Sequence, residues 1–127
     1  MKIMLVDDAK AVHSFITSIL GSYGIEFEHC YDGAEAVGKV KSSEFDLILL
    51  DWEMPEKDGI TTLKEIRGSG NDTPIVMVTS KNDVSGIQDA IMSGANEYVM
   101  KPFTKDIIVQ KISAVIPSFA ELVKEVA

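Results

Sequence analysis

Short apolar runs recur along the chain and are separated by longer stretches with helical spacing of apolar residues. The runs are continuous rather than alternating, which is typical of strands that are covered on both faces, as in a parallel sheet. The four clear runs and one weaker run cover residues 3–6, 45–50, 75–78, 98–100 and, weakly, 27–30. Apolar stripes of helical period lie in residues 12–20, 34–40, 60–66, 84–91 and 108–115. The pattern therefore predicts five strand–helix units.

Residues that typically end or begin helices lie between these segments and support the same division. Glycines fall where the helices should end, and Asp32, Asp58 or Asp83, and Thr104 are positioned to cap the helices that follow them. Strict alternation of strand and helix predicts an α/β fold with one doubly wound, five-stranded parallel sheet, helices on both faces and right-handed crossovers. We expect the strand order 2-1-3-4-5. The tail after residue 117 has amphipathic spacing and predicts a short final helix or an extension of the last one.

Composition narrows the class of protein. The 127 residues are 46% hydrophobic and 25% charged, which is typical of one globular domain. The net charge of −8 and the pI near 4.6 argue against binding of nucleic acid, because phosphate contacts need a basic face. The first apolar run is too short for a signal segment or a membrane span, so we expect a cytoplasmic protein without membrane contact. Cys30 cannot form an internal disulfide and is interpreted as a core thiol.

Polar residues follow the apolar runs at the point where each predicted strand ends. Asp7 and Asp8 follow the first run, Asp51 the run at 45–50, Thr79 the next and Lys101 the last. The carboxyl ends of parallel strands meet at one edge of a sheet, and ligands bind there at the point where the strand order reverses. With the expected order, that point lies between the strands that end in Asp7 and in Asp51. Three carboxylates are therefore predicted to converge.

Carboxylates at such close range repel one another unless a cation joins them. Mg²⁺ is a hard ion that binds one or two carboxylates together with phosphate oxygens. Lys101 and Thr79 would add a positive charge and a hydroxyl donor for a phosphoryl group. The set predicts a site that places a phosphate on a carboxylate.

Four motifs in this order resemble the markers of response-regulator receiver domains. They are Val6-Asp7-Asp8, the segment from Asp51 to Gly59, Val78-Thr79-Ser80 and Lys101-Pro102-Phe103. The resemblance covers nearly the whole chain and implies a single receiver domain over residues 1–127 with the flavodoxin-like topology. Asp51-Trp52 and the absence of an output domain make the chain most similar to the single-domain chemotaxis regulators of that family.

The resemblance implies a role for each site residue. Asp51 would be the phospho-acceptor, and Asp8 and Asp51 would bind Mg²⁺ directly. Asp7 would act mainly through water, and Glu53 would contribute its backbone carbonyl.

The remaining site residues would serve the phosphoryl group. Thr79 would donate a hydrogen bond to it, and Lys101, expected to precede a cis peptide bond to Pro102, would pair with it. Tyr98 falls at the aromatic switch position and is expected to swing inward when Thr79 moves.

Five residues at or near the site carry further expectations. Glu53 and Lys81 should flank the path of an attacking water, and we hypothesise that they pair across it and lengthen the lifetime of the phosphoryl group. Trp52 is expected to be half-exposed over the site. His13 and His29 are interpreted as separate structural histidines without a metal role.

The function that we expect is a signalling switch rather than an enzyme. A histidine kinase or phosphotransfer protein would phosphorylate Asp51, and the face formed by the fourth helix, fifth strand and fifth helix would bind a downstream target such as a flagellar switch protein. We expect a monomer or a weak, phosphorylation-dependent dimer. Three alternatives stay open: a stand-alone receiver in another phosphorelay, a Mg²⁺-dependent phosphohydrolase and a flavodoxin-like redox carrier. A redox carrier of this kind would need a hydroxyl- and glycine-rich phosphate loop after the first strand, and this chain has Asp7-Asp8 there, which nearly excludes that alternative.

Overall fold

A computed structural model of the chain describes residues 1–126. Strands and helices alternate along it. The strands are β1 Lys2–Val6, β2 Glu26–Cys30, β3 Leu47–Leu50, β4 Ile75–Thr79 and β5 Glu97–Met100. The helices are α1 Lys10–Leu20, α2 Gly33–Ser42, α3 Gly59–Gly68, α4 Val84–Met92, α5 Lys105–Val115 and α6 Pro117–Val126, with a 3₁₀ turn at Gly21–Tyr23. No helix within residues 1–126 is both long enough and apolar enough to cross a membrane.

The five strands form one parallel sheet in the order β2-β1-β3-β4-β5, which confirms the predicted fold. The register aligns the strand ends at the centre of the sheet, where Val6 lies beside both Cys30 and Leu50. The next peptide on each strand continues the pairing. Asp7 donates its backbone N–H to the Cys30 carbonyl (3.1 Å), and Asp51 donates to the Val6 carbonyl (2.9 Å). Asp7 and Asp51 therefore leave adjacent strands at the same level.

The central strands are continuous in hydrophobicity because helices cover both faces of the sheet. Successive side chains of β1 alternate between two cores: Met4 and Val6 pack on one side, and Ile3 and Leu5 on the other. All four are buried. β3 divides its side chains in the same way. Two packed faces leave no position on these strands for a polar residue until the strand ends.

Four helices begin at a side-chain cap, as the sequence predicts. Asp32, Asp58, Asp83 and Thr104 each accept a hydrogen bond from the backbone N–H three residues on. Such caps satisfy an N–H group that the helix itself leaves free. α1 differs, because its N-cap residue Ala9 has no side chain able to accept one.

The predicted stripe on α4 does not behave as a core face. Val84, Ile91 and Met92 are 70%, 44% and 87% exposed, and the buried positions of the helix are the small residues Gly86 and Ala90. The helix packs inward through these small residues and the partly buried Ile87, whereas Val84, Ile91 and Met92 project outward. Helical period alone does not distinguish a core face from an exposed one.

The residues after Pro117 form the separate helix α6. Ile116 has extended backbone angles (φ −125°, ψ 99°), which end α5, and Pro117 then opens α6 at a position where its missing N–H costs little. Phe119 is fully buried and packs edge-on against Tyr23, with ring centroids 5.9 Å apart. This contact attaches α6 to the 3₁₀ turn after α1.

Candidate functional site

Three carboxylates meet where β1 and β3 end. Asp7, Asp8 and Asp51 each offer an oxygen that lies within 4.8 Å of the other two. Asp7 and Asp51 are buried, whereas Asp8 faces solvent. The structure therefore brings together the three acids that the sequence predicted to converge, with an open side at Asp8.

The backbone holds the two buried carboxylates in place. Asp7 Oδ1 accepts a hydrogen bond from the N–H of Ala9 (2.9 Å), and Asp51 Oδ1 accepts one from the N–H of Trp52 (2.8 Å). Gly59, the first residue of α3, stabilises the loop after β3, because its N–H donates to the Trp52 carbonyl (2.7 Å). A Cβ at Gly59 would collide with the Asp51 carbonyl oxygen and lie 2.7 Å from Trp52 Cα. Only glycine allows α3 to begin this close to the site.

Lys101 and Thr79 reach the carboxylates from β5 and β4. The Lys101 ammonium lies 2.7 Å from Asp7 Oδ2 and 3.5 Å from Asp51 Oδ2. The Lys101–Pro102 peptide bond is cis, as the sequence resemblance implied. Thr79 is fully buried, and its hydroxyl accepts a hydrogen bond from the Lys81 N–H (3.3 Å). One ammonium group therefore contacts two buried carboxylates, and Asp8 adds a third carboxylate to the cluster.

The electrostatics of Asp51 reflect this shortage of positive charge. Burial raises the pKa of the Asp51 carboxyl above its ordinary value, and the Asp7 carboxylate raises it further. The Lys101 ammonium, the Thr79 hydroxyl and the Trp52 N–H act in the opposite direction without cancelling the rise. A divalent cation beside these carboxylates would reverse the balance.

The donor set fits Mg²⁺. The ion prefers hard oxygen ligands, keeps several waters and uses few carboxylates, and Asp8 leaves one side of the cluster open to water and to a phosphate. No histidine or cysteine belongs to the cluster, so its chemistry is that of an oxygen site.

Comparison with known proteins adds the deciding observation. The family model of the response regulator receiver domain matches residues 3–113. The chain belongs to the response regulator receiver family. Chemotaxis protein CheY of Bacillus subtilis is 38% identical over 113 residues, which cover 88% of this chain and 94% of CheY. Response regulator MprA of Mycobacterium tuberculosis is 32% identical over 91% of this chain, which spans only 50% of MprA.

Solved structures agree with this membership. A two-component response regulator from Clostridium difficile has a TM-score of 0.85 and 33% identity, covering 91% of this chain and 94% of that one. The CheX–CheY–BeF₃–Mg²⁺ complex from Borrelia burgdorferi has a TM-score of 0.87 and 28% identity, covering 91% of this chain and 88% of that one. The receiver is thus similar both to single-domain regulators and to the receiver part of longer ones.

The side chain of Tyr98, for which the sequence resemblance implied a switch role, lies inward. Tyr98 is 7% exposed, and its hydroxyl donates to the Lys81 carbonyl (2.6 Å). Burial, together with the charges of Asp83, Asp51 and Glu53, raises the pKa of Tyr98 to about 12. Tyr98 therefore ties β5 to the loop that follows Thr79.

Two expectations about the rim of the site are wrong. The Lys81 ammonium does not pair with Glu53; it lies 3.2 Å from Asp83 Oδ1 and 5.1 Å from the centre of the Trp52 ring. Asp83, the cap of α4, is two residues away from Lys81 and is the nearer carboxylate. Trp52 is only 9% exposed rather than half-exposed, because its ring packs within the core cluster and beneath Lys81.

The two histidines are not separate. The Nδ1 atoms of His13 and His29 lie 2.7 Å apart, and His13 Nε2 lies 2.8 Å from the Asp7 carbonyl oxygen. The pair joins α1 and β2 to the end of β1. Two histidines sixteen positions apart carry no spacing signal, and the contact depends on how α1 crosses the sheet.

Proposed function

We propose that this receiver accepts a phosphoryl group on the Asp51 carboxylate and that the modification changes its affinity for a protein partner. The arrangement of Asp51 supports the proposal most strongly. The carboxylate is held by a backbone N–H, lies 3.5 Å from the Lys101 ammonium and shares a cluster with two further carboxylates.

The chemistry of transfer follows from these groups. A free Asp51 oxygen attacks the phosphorus of a phosphohistidine on a kinase or phosphotransfer protein, so that a P–O bond forms and the P–N bond breaks. The leaving imidazole takes a proton. Lys101 and the Thr79 hydroxyl hold phosphoryl oxygens. Mg²⁺, when bound by Asp7, Asp8 and Asp51 with the Glu53 carbonyl, supplies charge neutralisation.

The receiver acts in this proposal as a phospho-acceptor and not as an enzyme with turnover on another substrate. Its own chemistry is limited to gaining the phosphoryl group and losing it to water. Glu53 and Lys81 flank the site and set the lifetime of the phosphoryl group individually, since Lys81 is engaged with Asp83. Release of Lys81 from Asp83 would place a cation nearer the phosphate.

An exposed apolar face supports a downstream partner. Its members lie on α4, β5 and α5 and are large side chains that are at least two-fifths exposed: Val84, Ile91, Met92, Met100 and Ile107. Large apolar side chains that are exposed on neighbouring elements are typical of sites of protein contact. Tyr98 and Lys81 connect this face to Thr79 and thus to the phosphoryl site.

We propose a stand-alone, cytoplasmic, chemotaxis-type regulator whose target is a flagellar switch protein or another chemotaxis protein. Similarity to CheY of Bacillus subtilis over 94% of that protein supports this assignment. A receiver in another phosphorelay is the second candidate, favoured by the comparable match to part of MprA.

Phosphorylation is tested with a small-molecule phosphodonor and Mg²⁺, followed by intact mass measurement. Wild type should gain one phosphoryl group, and Asp51→Asn should gain none. Asp46→Asn is the matched control, because Asp46 binds the Lys2 N–H away from the site. Equal phosphoryl uptake by wild type and Asp51→Asn would contradict the proposal.

The partner face is tested by binding to purified candidate targets with and without a beryllofluoride mimic. Met92→Ser should weaken the mimic-dependent binding while leaving phosphorylation intact. Tyr98→Ala should reduce the gain that the mimic produces. Undiminished gain in both variants would show that the signal leaves by another face.

A further inference from the structure

A chain of hydrogen bonds leads from β2 through α1 to the main chain of the cation site. His13 Nε2 lies 2.8 Å from the Asp7 carbonyl oxygen, which can only accept, so Nε2 carries a proton and donates. In the neutral pair, His13 Nδ1 is then an acceptor, and His29 Nδ1, 2.7 Å away, is the donor. His29 therefore donates a hydrogen bond to His13, and His13 donates one to the Asp7 carbonyl.

The carbonyl at the end of this chain belongs to the peptide bond between Asp7 and Asp8. The last ladder hydrogen bond that β1 donates to β2 comes from the Asp7 N–H, so the peptide that follows Asp7 lies beyond the ladder. The orientation of this peptide affects where the carboxylates of Asp7 and Asp8, on either side of it, point. The N-cap residue of α1, Ala9, contributes no side-chain bond that would fix the turn. His13 supplies a contact from the helix back to the turn.

His13 is itself rigidly held. The ring is 3% exposed and lies against Tyr31, with ring centroids 4.5 Å apart and an interplanar angle of 34°. It also lines, with Asp7 and Asp51, a small cavity on the core side of the carboxylates. A ring fixed on both sides and bonded to one carbonyl holds that carbonyl in one direction.

We infer that His13, supported by His29, is a positioning residue that orients the Asp7–Asp8 peptide for binding of a divalent cation. The inference rests on the proposed cation site at Asp7, Asp8 and Asp51. A transition-metal site at the two imidazoles is the weaker interpretation, because the acidic cluster is the one group of three metal-binding side chains within residues 1–126.

The test measures Mg²⁺ affinity through the fluorescence of Trp52, the neighbour of Asp51 and the only tryptophan in the chain. His13→Phe keeps a ring but removes the donor, and should weaken Mg²⁺ binding about tenfold, the low end for loss of an outer-shell partner. His29→Phe should weaken it less, because His13 keeps its bond to Asp7. His13→Gln restores a donor and should recover part of the affinity.

Controls separate positioning from general destabilisation. Urea unfolding in EDTA is measured for every variant, and Leu20→Val serves as the matched core change at the far end of α1. Leu20→Val should lower stability without changing Mg²⁺ affinity. In metal-free protein, ¹⁵N NMR of the imidazoles should show His13 protonated at Nε2 and His29 at Nδ1.

The outcomes are distinguishable. If wild type binds Mg²⁺ and His13→Phe binds it equally well, the positioning role is wrong and the cation site stands. If wild type does not bind Mg²⁺, the proposed site fails and the positioning role fails with it. If His13→Phe does not fold, the Mg²⁺ affinities of His13→Gln and His29→Phe test the positioning role instead. An NMR result that places the His13 proton on Nδ1 rather than Nε2 would also overturn the inference.

Discussion

The two edges of the sheet differ in how fully their polar and charged groups are paired. At the amino-terminal edge, the half-buried guanidinium of Arg67 donates to the carbonyls of Gly94 (3.0 Å), Asn71 (3.0 Å) and Thr73 (2.8 Å), and to Asn96 Oδ1 (3.0 Å). At the carboxyl edge, three carboxylates cluster, and one lysine ammonium contacts two of them. One edge satisfies its polar groups, and the other keeps an excess of negative charge.

The difference separates stability from function. A hydrogen-bonded arginine that fastens two loops to the end of α3 stabilises the fold, whereas clustered carboxylates destabilise it in the absence of a cation. A chain selected only for stability would not keep the second arrangement. The carboxylate cluster at the carboxyl edge therefore lowers the stability of the metal-free protein but allows it to bind a cation.

The largest expected effect is at the amino-terminal edge. Arg67→Ala removes the donor to the carbonyls of Gly94, Asn71 and Thr73, while Asn96 Oδ1 keeps the hydrogen bond from the Ile75 N–H. The change should lower the free energy of unfolding by about 2–4 kcal/mol. Mg²⁺ affinity should not change, because the site lies at the other edge. Urea unfolding and a Trp52 titration measure the two quantities. A marked loss of Mg²⁺ affinity would show that the edges are coupled rather than independent.

Lys101→Ala sharpens the comparison at the carboxyl edge. Removal of the ammonium leaves Asp7 and Asp51 uncompensated, and the metal-free protein should lose about 2 kcal/mol. Mg²⁺ should nevertheless bind about fivefold more tightly, because a competing positive charge is gone. Stability in EDTA and Mg²⁺ affinity should thus change in opposite directions. Weaker Mg²⁺ binding in this variant would contradict the electrostatic account.

The raised pKa of Asp51 predicts a pH dependence in EDTA. The folded state binds its proton more tightly than the unfolded state, so this group favours folding at low pH. That contribution is lost as pH rises from the ordinary carboxyl pKa through the raised one. Asp51→Asn should therefore match wild type in stability near pH 3 and be more stable than wild type near pH 7. A difference that is constant with pH would contradict the assigned shift.

Tyr98→Phe gives the smallest effect. It removes only the hydroxyl that donates to the Lys81 carbonyl, and should cost about 1 kcal/mol. The ring stays in place, so Mg²⁺ binding should be unchanged. Hydrogen exchange should become faster in the loop after Thr79. Unaltered exchange there would show that the hydroxyl does not restrain the loop.

The fold was predictable because its signals are local and repeated. Continuous apolar runs indicated strands buried on both faces, and each of the four clear runs was followed by a polar residue. The parallel register then brought Asp7 and Asp51 together without further information. Capping by Asp32 and Thr104 depends on the same short-range chemistry.

The details that the sequence did not predict depend on how elements cross. The exposure of Val84 and Ile91 depends on which face of α4 meets the sheet, and both faces carry apolar residues. The burial of Trp52 depends on its packing in the core and under Lys81. Lys81 pairs with Asp83 rather than Glu53 because Asp83, the cap of α4, is nearer. The contact between His13 and His29 arises from the crossing of α1 over β2. None of these contacts or exposures can be recognised from the spacing of residues along the sequence.

Urea unfolding of wild type and Asp51→Asn, each in EDTA and in excess Mg²⁺ at neutral pH, tests most directly whether the carboxyl edge gives up stability to hold a cation. In EDTA, Asp51→Asn should be more stable by about 1–2 kcal/mol, because one repelling charge is removed at nearly constant shape. Mg²⁺ should stabilise wild type by mass action and stabilise the variant less. If Asp51→Asn is no more stable than wild type in EDTA, or gains as much from Mg²⁺, the central claim is contradicted.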